Sequence, residues 1–379
     1  MSRHSCFALG STGIVGSLAA LSGTAQANWA VNMSPGVTEV SRSVFDLHMT
    51  IFLICVVIGV VVFGVMFWSM LRHRRSPDRA PAQFHESTTV EILWTIVPFV
   101  ILVLMAIPAT RTLIDIYDTS ESDVDIQVTG YQWKWHYKYL GEDVEFFSNL
   151  ATPREQIDNR AAKDAHYLLE VDEPLVVPVG AKVRFLVTAA DVIHSWWVPA
   201  LAVKKDAIPG FVNEAWTRIE EPGIYRGQCT ELCGKDHGFM PVVVEAKTPE
   251  DYAAWLAARK AAAQAEKALG DKEWSLDELM ARGEQVYERA CAACHMPTGA
   301  GMPPVFPALK GSAIATGAPA GHIAIVVDGK PGTAMAAFGK QLSAVDLAAV
   351  ITYERNAWGN AVGDRVTPQD VAAYQQAKE

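Results

Sequence analysis

Positive charge is in short supply in this chain: 32 lysines and arginines stand against 42 aspartates and glutamates, a net charge of -10 over 379 residues. A surface of that sign repels a phosphate backbone, so nucleic acid is excluded as a partner, whereas a basic or dipolar protein is suited to it. Charge of either sign is missing altogether from residues 49–71 and again from residues 92–110. At about 1.5 Å per residue, a helix over either run crosses a hydrocarbon layer of about 30 Å. A buried helix of a soluble protein is the competing reading and does not suit that length. Between the runs lies Arg72-His73-Arg74-Arg75, which places the connecting loop in the cytoplasm and both long flanks outside it. Cysteine is also scarce, six in all. Cys6 falls in the leader and Cys55 in the first span, so only two close pairs remain, Cys229 with Cys233 and Cys291 with Cys294. Residues 7–21 are apolar and rich in small side chains, and Ala25-Gln26-Ala27 gives a cleavage pattern, so residues 1–27 read as a signal peptide. With only Arg3 in its basic region, an uncleaved anchor is the alternative.

The first of those pairs has company. Cys229, Cys233, His237 and Met240 fall within twelve residues, and His194 waits upstream in Asp191-Val192-Ile193-His194-Ser195-Trp196. Thiolate and imidazole select a soft or borderline transition metal, and a following thioether narrows the choice toward copper. Two cysteines, two histidines and a methionine suit a pair of ions better than one tetrahedral zinc, which would leave the methionine idle. Taken alone, the cysteines read as a disulfide and Met240 as core filler. The ordered set of five outweighs both readings.

These residues resemble the binuclear copper A centre of subunit II of haem–copper cytochrome c oxidases. The resemblance runs over residues 45–245 and includes Val90-Glu91-Ile92-Leu93-Trp94-Thr95-Ile96-Val97-Pro98, Tyr131-Gln132-Trp133-Lys134-Trp135 and Asp206-Ala207-Ile208-Pro209-Gly210. It implies that Cys229 and Cys233 bridge two coppers, that His194 and His237 each cap one, and that Met240 and the carbonyl of Glu231 are weak axial ligands. It further implies a magnesium ion held at a subunit interface through the Glu231 carboxylate. Electrons would come in near Trp133, and Glu91 would stand at the mouth of a proton channel in a partner subunit. A core aromatic and a plain interfacial charge are the competing readings of those last two.

The second pair opens Cys291-Ala292-Ala293-Cys294-His295, the C-x-x-C-H attachment pattern of a c-type haem. Residues 275–360 resemble the class I cytochrome c family, with His295 as one iron ligand. Met335, on the Gly/Pro-rich Gly329-Lys330-Pro331-Gly332-Thr333-Ala334-Met335, is expected as the other, and Met302 is the alternative. By the same resemblance the Pro307 carbonyl would accept a hydrogen bond from His295; an ordinary turn proline is the competing reading.

The expected architecture is a multidomain membrane protein. A transmembrane hairpin of two helices fills residues 28–111, a cupredoxin-like Greek-key β-sandwich residues 112–246, and an all-α cytochrome c domain residues 274–362. A helical linker over residues 247–273 is expected as a tether, and residues 363–379 form a short polar tail. The alternation of Tyr131, Trp133, Trp135, Tyr137 and Tyr139 with polar residues is the period of one half-buried strand. The resemblance implies an oxidase subunit in a bacterial inner membrane, with its copper and haem domains in the periplasm. It would pass electrons from a cytochrome or a quinol-oxidising complex, through haem c and copper A, to subunit I, with subunit III alongside. Oxygen is not expected to react here, because the sequence offers neither a second haem site nor a copper–histidine cluster. The copper A subunit of a nitric oxide reductase and a stand-alone membrane-anchored carrier are the other readings.

Overall fold

The structure is a computed structural model that describes residues 32–74, 83 and 85–378. The expected signal peptide, Cys6 and Arg75 lie outside those residues. Helix α1, Glu39–Arg72, starts where Thr38 and Ser41 satisfy each other: the Ser41 amide donates to the Thr38 hydroxyl at 2.9 Å and the Thr38 amide to the Ser41 hydroxyl at 2.8 Å. Helix α2, Thr88–Tyr117, runs back alongside it and carries Pro98 and Pro108 in its interior. Both are long and apolar enough to cross a membrane, and their aliphatic and aromatic side chains point outward. That is the polarity a lipid solvent demands. At the outer end, Ser43 and Thr112 meet at 3.1 Å, and the Trp216 indole donates to the Asp115 carbonyl at 2.9 Å, fixing the hairpin to the domain above.

That domain is two facing five-stranded sheets. One has the strands β1 (Val124–Tyr131), β2 (Lys134–Tyr139), β3 (Val144–Ser148), β5 (Val183–Ala189) and β8 (Asn213–Thr217), in the order β3-β2-β1-β5-β8. The other has β4 (Leu175–Pro178), β6 (His194–Val198), β7 (Val203–Ala207), β9 (Gly223–Cys229) and β10 (Pro241–Lys247), in the order β4-β10-β9-β6-β7. A short helix α3, Arg154–Ile157, interrupts the long connection from β3 to β4. Alternate residues of β5, Val183, Phe185 and Val187, are fully buried and meet Trp135, Trp196 and Val242 in a common core. Each such side chain contributes roughly 1.5–3 kcal/mol by burial. The sandwich of the cupredoxin type is as expected.

One reading of the aromatic run is corrected. Tyr131 pairs with Lys134 across two antiparallel strands, so Gln132 and Trp133 form a two-residue turn rather than the middle of one strand. Trp135, Tyr137 and Tyr139 keep the buried alternation in β2, while Trp133 is carried to the tip of a hairpin. Tyr131 ends β1 opposite Lys134, on the face away from Trp135, so the spacing of two that reads straight through the turn in the sequence joins residues from two different faces.

Helix α4, Pro249–Leu269, follows β10 directly. Tyr252, Trp255 and Leu256 lie against the sandwich core, with the Trp255 ring 5.2 Å from that of Tyr139. The last region is helical: α5 (Leu276–Ala290), α6 (Ala292–His295), α7 (Pro319–Asp328), α8 (Ala344–Asn356) and α9 (Pro368–Gln376). Helices α5 and α8 cross where Gly283 faces α8 so closely that a Cβ would sit 2.1 Å from the Ala349 carbonyl oxygen. The polar C-terminal helix also buries Val371 in this core, alongside Val286, Ile323 and Ile351.

Candidate metal and haem centres

The first centre forms where strands of the second sheet end. Strand β6 starts at His194 and β9 ends at Cys229, and the loop from Cys229 back to β10 carries Cys233, His237 and Met240. The two sulfurs lie 3.8 Å apart, the Cys229 sulfur 4.0 Å from His194 Nδ1, and the Cys233 sulfur 3.5 Å from His237 Nδ1. Both cysteines are free, so they are not a disulfide. Cys229 is also 3.4 Å from the Glu231 carbonyl oxygen, and its amide donates to the Met240 carbonyl at 3.0 Å. His194, Cys229 and Cys233 form a potential metal cluster in which each offers one atom within 4.8 Å of the others.

Surrounding residues fix these donors. His194 Nε2 donates to Asp191 at 3.0 Å, which leaves Nδ1 as the ring atom facing the sulfurs. Asp191 also accepts from the Gln132 amide at 2.8 Å and the Val192 amide at 2.7 Å. Gly130 makes room for the imidazole, since a Cβ there would come within 2.7 Å of it. Burial pushes the Cys229 thiol up, but hydrogen bonds from His194 and its neighbours outweigh this and bring it to about 7. Burial, and then the charge on Cys229, push Cys233 up to about 12. Two thiols that resist a second ionisation side by side are what a cationic pair resolves, and the soft donor set suits copper.

The hairpin tip lies under the same loop. The Trp133 indole and the Gln132 side chain both donate to the Cys233 carbonyl, at 3.1 Å and 2.8 Å. Gly234, with φ at +116°, turns the loop so tightly over Trp133 that a Cβ would meet the indole at 3.1 Å. These supporting contacts were not legible in the sequence, although Asp191 three residues before His194 and the Gln132–Trp133 turn were in plain view.

At the second centre, Cys291 closes α5 and Cys294 and His295 lie on α6. The cysteines are free and half-buried. The buried His295 donates through Nδ1 to the Pro307 carbonyl at 2.9 Å, as expected, and Nε2 is left for an iron ion. This arrangement fits a covalent haem. Met335 is half-buried on the loop between α7 and α8, whereas Met302 is exposed.

Other expected positions stand apart from both centres. Glu91 is exposed in the first turn of α2. The Glu231 carboxylate is exposed and outside the potential metal cluster, so the expected magnesium gains no support from the described residues.

The probable cytochrome c oxidase subunit 2 of Rickettsia felis is 40% identical over 232 residues, which is 61% of this chain and 72% of the relative. The chain belongs to the cytochrome c oxidase subunit II family. The family's transmembrane domain pattern matches residues 26–112 and its periplasmic domain pattern residues 124–247. A third pattern, described as subunit III of cbb3-type cytochrome c oxidase, matches residues 278–353. This is therefore a subunit II with a fused cytochrome c domain, of the caa type. The cytochrome c oxidase subunit 2 of Cereibacter sphaeroides is 37% identical over 278 residues, covering 67% of this chain and 92% of that one. A crystal structure of the periplasmic domain of subunit II from Bradyrhizobium japonicum is 40% identical, covers 38% of this chain and 97% of its own, and has a TM-score of 0.34. Family membership implies copper A and haem c, a haem–copper oxidase complex around the chain, and a membrane anchor with a periplasmic domain. It does not favour the nitric oxide reductase and stand-alone carrier readings.

Proposed function

We propose that this subunit takes single electrons from a periplasmic donor at its cytochrome c domain and hands them through the copper loop to subunit I. Cys291 and Cys294 would hold the haem, with His295 and Met335 as the residues offered to its iron. Cys229, Cys233, His194, His237, Met240 and the Glu231 carbonyl would hold the copper pair. When bound, these groups supply two one-electron sites. The chain's own part is stiffness: Asp191 holds His194 in one orientation, and Trp133 and Gln132 pin the Cys233 carbonyl, so little geometry changes as charge comes and goes.

One observation carries the order of transfer. Trp133 bonds to the backbone of Cys233, while the next residue, Lys134, bonds at 2.5 Å to Gln341 of the cytochrome domain. Two adjacent residues therefore connect the copper loop to the haem-binding domain. Placement in the bacterial inner membrane, with subunits I and III as partners, follows from the same reading, as does Glu91 beside a proton path of subunit I. A Cys229→Ser variant tests the copper assignment. It should abolish the mixed-valence copper signal and leave covalent haem c in place, because the two centres are built by separate cores; a persisting two-copper signal would overturn the assignment.

A further inference from the structure

The linking helix does not behave as a tether. Its first half is bound to the sandwich: Arg259 pairs with Glu173 and Lys260 with Glu142, around the packed Trp255. Its second half is bound to the cytochrome domain. Glu266 accepts from Arg282 at 2.6 Å and from the Ser343 hydroxyl at 2.7 Å, and Arg282 goes on to Asp346 at 2.7 Å. The turn beyond α4 is also fastened, with Gln369 donating to the Gly270 carbonyl at 2.8 Å and Arg365 to the Trp274 carbonyl at 2.6 Å. A helix gripped at both ends by different domains transmits orientation, which a free linker cannot.

A second contact fixes the rotation that one helix would leave open. Lys134 projects from β2 into the junction, where its amine lies 4.8 Å from the centre of the Phe147 ring on its own domain and 5.8 Å from that of Phe338 on the other. Its hydrogen bond to Gln341 completes this seat. Burial lowers the amine to about 8, so the protein spends stability to keep a lysine there. Phe338 and the haem cysteine Cys291 pack against the same core of the cytochrome domain. Lys235 is 5.8 Å from the centre of the Trp133 ring.

We propose that the cytochrome domain is seated in a single pose on the copper domain, with α4 as a rigid strut and Lys134 as the positioning residue that sets the haem attachment site against the Trp133 hairpin. The inference rests on the electron order given under Proposed function, and it adds that the internal electron transfer needs no docking step. An outside donor then has to use another face of the cytochrome domain.

The test is a distance measurement on the intact oxidase. A nitroxide on the exposed position 310, introduced by Lys310→Cys, is paired with the copper A spin by pulsed electron paramagnetic resonance, and internal haem-to-copper transfer is followed by flash reduction. One narrow distance is expected in the parent protein, with transfer insensitive to viscosity and salt. Lys134→Ala should add a broad component, because losing a hydrogen bond from a charged donor raises the unseated share about tenfold. Gln341→Ala, which alters only the far side of the contact, should do the same with haem attachment and the copper signal intact. A broad distribution in the parent protein overturns the seat, and an unchanged narrow one in both variants overturns the role of Lys134. A narrow distance with no internal transfer would instead refute the electron order and leave the seat standing.

Discussion

Asp191→Asn should weaken copper binding by about 10–100-fold while the domain remains folded. The carboxylate has both oxygens in use: one takes His194 Nε2 at 3.0 Å and the Val192 amide at 2.7 Å, the other the Gln132 amide at 2.8 Å. An asparagine supplies one acceptor oxygen in place of two, and its amino group must face one of these donors. Removing a hydrogen bond to a charged group costs about 1.5–3 kcal/mol, which at about 1.4 kcal/mol per decade is a factor of roughly 10–100, in agreement with the first figure. The loss should fall on the metal because Asp191 sets which nitrogen of His194 faces the sulfurs. Competition for copper against a chelator of known affinity, with circular dichroism to confirm the fold, measures it. Copper affinity equal to that of the parent protein, with the copper A spectrum unchanged, would refute the reasoning that this carboxylate orients the ligand.

Three further outcomes are expected. Met335→Ala should keep haem attached through Cys291 and Cys294 but lose the sulfur-to-iron absorption band and lower the reduction potential; survival of the band would transfer the role to Met302. Gly283→Val should destabilise the cytochrome domain by about 1–3 kcal/mol or more, because the space between α5 and α8 is already closed by the Ala349 backbone, and a thermal melt followed at the haem band reads this directly. Raising ionic strength should change the rate of reduction by a soluble protein donor clearly and leave internal haem-to-copper transfer nearly unchanged, since a seated contact is screened far less than a diffusional encounter.

Much of this molecule is legible in its sequence because metal and haem chemistry needs reactive residue types at short spacings. Cys229, Cys233 and His237 are brought together by one loop, and Cys291, Cys294 and His295 by less than two helical turns, so local sequence nearly determines local geometry. The two membrane helices are legible for another reason: the bilayer excludes charge over a fixed length. What stayed hidden depends on long-range pairing. Asp191 reaches Gln132 only because β1 and β5 are neighbours, and the Trp133 turn is disguised because Tyr131 and Trp133 happen to continue the spacing of the aromatics in β2. The packing of α4 was hidden for a similar reason. Its composition reads as a solvated spacer, whereas Trp255, Arg259 and Glu266 each find partners far away in the chain.

The central claim is that electrons reach copper A through the fused haem. Rapid reduction of the oxidase by a soluble donor, with the parent protein compared against a Cys291→Ala, Cys294→Ala double variant that lacks haem c, tests it most directly. Copper A in the variant should be reduced far more slowly than in the parent, while its mixed-valence signal is intact; reduction at the parent rate would contradict the claim.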